Sequence, residues 1–291
     1  DMPARHSFVI NMVNGKEDIG NAIALNSMMF NGARLIGPSV AGIILAAAGE
    51  GACFLINAVS YVFVIASLLL MNVTETREKK ERTPMFRELK EGLDYTFGFA
   101  PIKHIIFLLG LVSFMGASYT VLMPVYAKEV LGGDSHTYGF LMGMAGAGAL
   151  LGAIYLASRD TVLRLGRLIP AAAALLSAGL IALALTSSFF ISLLLIFFTG
   201  LGMMAHTAAS NTILQTIADE DKRGRVMSFY TMALMGTAPF GSLLAGWMAK
   251  VLGTPWTILI GGAVCLLGAL VFYRRLPELK RLVRPVYVRM G

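Results

Sequence analysis

Residues 189–217 read FFISLLLIFFTGLGMMAHTAASNTILQTI and contain no Asp, Glu, Lys or Arg. About 20 apolar residues in a helix suffice to cross the hydrocarbon core of a bilayer, and this run exceeds that length. Working outward, apolar windows fall at 21–48, 53–73, 102–127, 139–158, 168–187, 226–252 and 255–273, which with 189–217 makes eight expected transmembrane helices. Turn chemistry separates them: Gly49-Glu50-Gly51, Gly132-Gly133-Asp134-Ser135, Ser187-Ser188 and Gly253-Thr254-Pro255. Of 291 residues, 56% are hydrophobic and 14% charged, with a mean hydropathy of +0.71; soluble domains carry about 25% charged residues. No single core of this size hides so much apolar surface. The bilayer is the solvent, and the fold class is an all-α polytopic membrane protein.

Charge sets the expected orientation, because Lys and Arg near span ends stay in the cytoplasm. Of the 24 Lys and Arg, 21 fall on one side: Arg5 and Lys16, the cluster from Arg77 to Lys103, Arg159 with Arg164 and Arg167, Lys222 with Arg223 and Arg225, and the group from Arg274 to Arg289. Lys128 and Lys250 stand opposite, and Arg34 lies inside a span. Both termini are therefore expected in the cytoplasm. The net charge of +7 comes without the basic, aromatic-interleaved soluble face that nucleic acid requires, so no nucleic-acid partner is expected. Cys53 and Cys265 both sit in apolar runs, which offers neither a disulfide framework nor a metal site. No metal or cofactor is expected. The chain opens at Asp1 without Met and without the pattern of a signal peptide, as expected for the downstream part of a longer protein.

The longest polar stretch, 74–101, divides two spans from six. It begins with a charged run, Glu75 to Arg82, for which a solvated linker is the plain reading. It continues with Phe86, Leu89, Leu93 and Phe97 at helical spacing and Arg87, Glu88, Lys90, Glu91 and Asp94 opposite, which predicts a helix lying on the inner membrane surface. On either side, Asn11 to Asp18 and Thr216 to Gly224 are short charged loops that precede long spans with an interior Pro (Pro38, Pro239) and a later Ala-Gly pair. This suggests two parallel bundles, although Gly/Ala-rich membrane helices also resemble one another by composition.

Asp1-Met2-Pro3-Ala4-Arg5, Asn21 to Ser27, Phe30-Asn31-Gly32-Ala33-Arg34 and Gly37-Pro38-Ser39-Val40-Ala41-Gly42 resemble the fifth-helix region of major facilitator superfamily exporters, in the branch that contains the enterobactin exporter. Arg223-Gly224-Arg225-Val226-Met227-Ser228 with Pro239-Phe240-Gly241 is similar to the same branch around helix eleven. The resemblance implies a twelve-helix, two-bundle fold of which this chain holds helices five to twelve. Residues 1–73 would be the remainder of the N-terminal bundle, 74–101 the cytoplasmic linker, and 102–291 the C-terminal six-helix bundle with a basic tail. It implies a monomeric, proton-coupled secondary exporter of siderophores or drug-like amphipathic molecules in the bacterial inner membrane. Gly37-Pro38-x-x-Ala41-Gly42 resembles the antiporter element of helix five, with Ala41 where the family has Gly. Small residues that let helices approach, and a Pro that lets one bend, are equally served by plain helix packing. The loop Arg159 to Arg167 partly resembles the gate loop between helices eight and nine, but Leu163 stands where the family has an acid before Arg164. A positive-inside anchor explains Arg164 and Arg167 equally well.

The candidate site residues follow from these placements. All 17 Asp and Glu lie outside the span interiors, so the carboxylate of a proton relay would belong to the helices preceding Asp1. Arg34 is a structural pair or snorkelled side chain on one reading, and a coupling or anion-binding group on the other. With Gly37, Pro38, Gly42, Arg164 and Arg167 it makes the coupling and gating set. In the span 189–217, His206, Ser210, Asn211 and Gln215 recur at about one helical turn. In the span 102–127, Ser113, Tyr119, Met123 and Tyr126 do the same. By resemblance these are cavity helices ten and seven, and Tyr119, Met123, Tyr126, His206, Asn211 and Gln215 are the candidate substrate cavity; alternatively Tyr126 and Asn211 sit at helix interfaces and His206 is a packed neutral imidazole. No His-Glu-x-x-His, Gly-x-Ser-x-Gly or phosphate loop occurs, so an enzyme is not expected and a gradient is the expected energy source. The competing class is a non-transporting eight-helix membrane scaffold or assembly partner held by its Gly/Ala faces.

Overall fold

The computed structural model describes residues 44, 49, 51–70, 85–157, 165–219 and 222–288. It divides into two compact units, Asp1–Arg82 and Thr83–Gly291. Described residues of the first unit form one long helix, α1 (Gly51–Leu69), with a hydropathy of 2.2 and no buried residue. A helix apolar on every side belongs in lipid or against other membrane helices. Its serine hydroxyls are turned back onto its own backbone, Ser60 Oγ donating to the Asn57 carbonyl at 2.7 Å and Ser67 Oγ to the Phe63 carbonyl at 2.8 Å. The expected span 21–48 lies almost wholly outside the described residues, and Arg34, Gly37, Pro38, Gly42 and Arg164 lie outside them entirely.

The second unit runs α2 (Met85–Gly98), α3 (Ala100–Leu111), a π-turn (Val112–Gly116), α4 (Tyr119–Glu129), α5 (Ser135–Ala157), α6 (Leu165–Ala184), α7 (Phe189–Ile217), α8 (Arg223–Thr231), a second π-turn (Met232–Gly236), α9 (Ala238–Leu252) and α10 (Thr254–Val288). The spans Ala100–Glu129 and Arg223–Leu252 each consist of two α-helical halves joined by a π-turn. With α1, the described residues hold seven helices long and apolar enough to cross a membrane, at the positions expected from the apolar windows. α2 is the amphipathic helix expected in the linker, and it belongs to the second unit. α10 does not end with the apolar window at 273. It continues as helix through the basic tail, where Leu276, Leu279 and Val283 remain buried.

The turns form where the sequence places glycine. Gly132 and Gly253 have φ of 63° and 88°, a region that costs an L side chain about 1 kcal/mol or more. Asp134 Oδ1 accepts the backbone N–H groups of His136 at 3.0 Å and Thr137 at 3.1 Å, capping α5. The Thr137 N–H is the larger of the influences holding its carboxyl below the usual carboxylate range.

α7 is the axis of the bundle and packs most extensively on α5 and α6, while α6 packs on α10. Apolar burial cannot drive these contacts inside lipid, so close backbone approach does. A Cβ on Gly200 would meet the Ala145 carbonyl, and one on Gly148 the Phe197 carbonyl. One on Gly202 would lie 2.7 Å from both the Ala172 carbonyl oxygen and the Leu176 nitrogen, and one on Gly152 2.9 Å from the Leu201 carbonyl oxygen. α7 thus meets α5 through Gly200 and α6 through Gly202, two residues apart on opposite flanks.

Two outcomes follow from this packing. Gly202→Ala forces α6 and α7 apart and lowers stability by about 1–3 kcal/mol, seen as an earlier thermal aggregation of the full-length protein in detergent; Gly246→Ala, with nothing within 4 Å of its added Cβ, leaves that curve unmoved. The cap on α5 is complete above the ordinary carboxylate range of about 4 and is lost as pH falls through the lowered value of Asp134. Hydrogen exchange at the His136 and Thr137 amides, compared between wild type and Asp134→Ala from pH 7 down to pH 3, reads this as a protection difference that shrinks as pH falls.

Candidate functional site

The polar residues of α7 divide by depth. His206 and Ser210 are fully buried, Asn211 is half-buried and Gln215 is exposed. His206 Nδ1 lies 3.1 Å from the Ile169 carbonyl oxygen of α6. A carbonyl only accepts, so Nδ1 carries the proton and Nε2 the lone pair. Neither His206 Nε2 nor Ser210 Oγ has a hydrogen-bond partner. Gln215 Nε2 donates to Asn211 Oδ1, which fixes the amide pair as a unit one turn apart.

On α4, Tyr119, Met123 and Tyr126 are all buried. The Tyr126 hydroxyl lies 3.0 Å from the Leu183 carbonyl oxygen, 2.9 Å from that of Thr186 and 3.1 Å from Ser192 Oγ. One phenolic hydrogen is shared between two carbonyls at the end of α6, with the serine hydroxyl completing the set at the start of α7. Tyr126 is therefore a clasp joining α4, α6 and α7. Four of the six expected cavity residues, Tyr119, Met123, Tyr126 and His206, lie in the packed interior of the six-span unit rather than on its surface. Helical spacing identifies a face, and the interior face of a bundle has the same spacing as a cavity face.

Two features escaped the sequence reading. The first is the pair of π-turns, which lie side by side. In the first, the Ala117 N–H donates to the Val112 carbonyl at 2.9 Å. Such a shift disturbs the regular ladder of carbonyls, and nearby hydroxyls can take up the freed groups. Ser118 Oγ donates to the Phe114 carbonyl at 2.6 Å, Thr237 Oγ1 to the Ala233 carbonyl at 2.7 Å, and Ser113 Oγ reaches across to the Leu234 carbonyl at 2.5 Å. The available signal was the pair Phe114-Met115-Gly116-Ala117-Ser118 and Leu234-Met235-Gly236-Thr237-Ala238, Met-Gly followed by two small residues, with Pro239 in the first turn of α9.

The second feature lies at the arginine-bearing end. α2 docks there against α8 through a buried Gly92, whose added Cβ would lie 3.4 Å from Arg225 Cβ. Arg225 Nη1 donates to Glu91 Oε2 at 3.0 Å, Tyr95 Oη donates to Asp219 Oδ2 at 3.0 Å, and the Phe97 ring meets Phe107 and Phe229 edge-on at 5.7 Å each. Arg167 is exposed at the start of α6. Among the described residues no group of three or more His, Cys, Asp or Glu is placed to hold a metal ion.

Long apolar helices packed through glycine, interrupted by π-turns and joined by short hairpins, define a polytopic membrane protein. Residues 1–285 match the transmembrane secretion effector family, and the chain belongs to that family of the major facilitator superfamily. It is 27% identical over 256 residues, 87% of its own length, to the "Staphyloferrin A transporter" of Staphylococcus aureus (strain NCTC 8325 / PS 47), and it spans 63% of that protein. In fold it is similar to a crystal structure of a bacterial homolog of the human lysosomal transporter Spinster, in an inward-facing and unoccupied conformation, with a TM-score of 0.54, 16% identity, and coverage of 98% of this chain and 75% of the other.

Tyr126→Phe removes the donor shared by the Leu183 and Thr186 carbonyls. It is expected to destabilise the full-length protein by about 1–3 kcal/mol, read as a lowered unfolding midpoint in detergent. An unchanged midpoint would show that the clasp contributes nothing.

Proposed function

We propose that this chain is the larger part of a proton-coupled secondary exporter of siderophores or similarly amphipathic small molecules. It sits in a bacterial inner membrane with both of its ends in the cytoplasm, and works as a monomer when full length. The observation that carries the reading is the family match over residues 1–285, joined to the similarity to a staphyloferrin A transporter. The outward direction is supported by the secretion family and by the element Gly37-Pro38-x-x-Ala41-Gly42.

In this reading residues 1–73 complete an N-terminal bundle, 74–101 link the bundles, and 102–291 form the C-terminal bundle. The amide pair Asn211 and Gln215 hydrogen-bonds polar groups of the substrate. Tyr119, Met123, Tyr126 and His206 hold the helices that present the pair. Gly37, Pro38 and Gly42 let their helix bend, Arg34 meets an acid or a substrate anion, and Arg164 with Arg167 anchors the cytoplasmic gate.

The test compares cells carrying the full-length gene with cells lacking it. The medium of carrying cells should accumulate more staphyloferrin A or another of a panel of siderophores and cationic dyes. Asn211→Leu and Gln215→Leu should each weaken apparent substrate affinity about fivefold, the equivalent of one hydrogen bond of about 1 kcal/mol, with protein levels unchanged. Equal release with and without the gene across the whole panel would count against export.

A further inference from the structure

His206 and Ser210 are one turn apart on α7, each wholly buried, and each keeps a polar atom without a partner. Residues at i and i+4 of a helix lie on one face. A buried nitrogen lone pair and a buried hydroxyl on that face, each without a partner, call for an explanation. The Nδ1–H is committed to the Ile169 carbonyl, so any proton that arrives goes to Nε2.

The surroundings decide how firmly such a proton is held. The ionisable groups on helices packed against α7 are Tyr155 together with His136 and Tyr138 on α5, Arg167 on α6, Lys103 and His104 on α3, Arg223, Arg225 and Tyr230 on α8, and, on α10, Tyr273 and the basic stretch from Arg274. α4, which reaches α7 through Tyr126 and Ser192, adds Tyr119, Lys128 and Glu129, and the carboxylates these helices carry among the described residues are Glu129, exposed at the end of α4, and Glu278, exposed on α10 beyond Arg275. Tyr230 is turned to the Thr207 carbonyl at 3.2 Å. Among the described residues no carboxylate faces the imidazole, and none of them supplies an imidazolium there with a countercharge. Ile169 is four residues past Leu165, where α6 begins, about 6 Å along the axis. The exposed Arg167 lies between them, a like charge that disfavours the imidazolium.

We propose that His206 is a proton-binding residue of this transporter. A proton from the medium adds to the Nε2 lone pair and forms an N–H bond. The Ile169 carbonyl holds Nδ1–H throughout. Release reverses these steps, and no other bond changes. The inference rests on the proton-coupled reading above and names one residue that would carry the proton.

Two measurements on the full-length protein test it. The first, free of any substrate, is ¹⁵N NMR of histidine rings in lipid nanodiscs, with the His206 signals assigned by their loss in His206→Asn. The Asn side chain keeps a donor for Ile169 and cannot titrate. The expected result is a neutral Nδ1–H ring at about pH 8 that becomes doubly protonated as pH is lowered through the histidine range toward about 4. A ring that stays neutral throughout, as one hydrogen-bonded to a fixed buried water would, overturns the proposal.

The second measurement uses proteoliposomes and staphyloferrin A. His206→Asn should lose pH-gradient-driven accumulation at least tenfold more than it loses exchange at equal pH. Unchanged gradient-driven accumulation, or equal loss of exchange and accumulation, overturns the proposal. A wild type that exchanges but ignores the gradient sinks the proton-coupled reading, and this inference with it. A gradient-driven wild type whose His206 does not titrate sinks this inference alone.

Discussion

The Ala172 carbonyl oxygen lies where a methyl group on Gly202 would have to stand, and much of the second unit depends on contacts of this kind. Lipid chains are as apolar as leucine, so these helices gain nothing from hiding leucines from one another. They gain from van der Waals contact, and two helix backbones approach most closely where both carry little more than hydrogen. α7 uses Gly200 and the facing Gly148 against α5, and Gly202 against α6. α10 repeats the device: added Cβ atoms on Gly261 and Gly262 would lie 2.9 Å from the Met115 carbonyl oxygen and 3.1 Å from that of Ser177.

The same solvent explains where the polar groups go. Without water, a hydroxyl or an irregular turn has to be satisfied by the chain itself. Ser177 donates to the Ala173 carbonyl at 2.7 Å and Thr199 to the Leu195 carbonyl at 2.8 Å, each within its own helix. Ser113, Ser118 and Thr237 serve the two π-turns, and Tyr126 serves the end of α6. Set against this thrift, buried atoms of Thr96, His206, Ser210 and Arg223 have no partner among the described residues. The amide pair Asn211 and Gln215, at the exposed end of the same helix, can bond a ligand at little cost because water already competes for it.

Membership in the secretion effector family and the fold likeness to a Spinster homolog agree with a reading based on spans, turns and the Gly-Pro element. The linker adds a refinement that neither predicts. α2 presents Gly92, Tyr95 and Phe97 to α8 and Phe107 while Leu93 remains exposed. A helix expected to lie on the membrane surface is thus also tied to the loop before α8 through Asp219. The Glu91–Arg225 pair on its rim, with both side chains partly exposed, contributes little to this attachment; the ring contacts and the close approach at Gly92 carry it.

The amino-acid sequence by itself determined the solvent, the spans that the structure describes, the glycine turns and the amphipathic helix. Each of these is a property of a single segment: twenty apolar residues can only be a span, and a positive φ can only be cheap at glycine. It also identified the polar residues of α4 and α7, because a face is a local periodicity. What it left open was which way each face looks. Whether Tyr126 lines a cavity or clasps the end of α6 depends on where Leu183 and Ser192 arrive, 57 and 66 residues later. Whether His206 is a free base or a spent one depends on Ile169. Such pairings belong to the packing of helices against one another, and only the tertiary structure decided them.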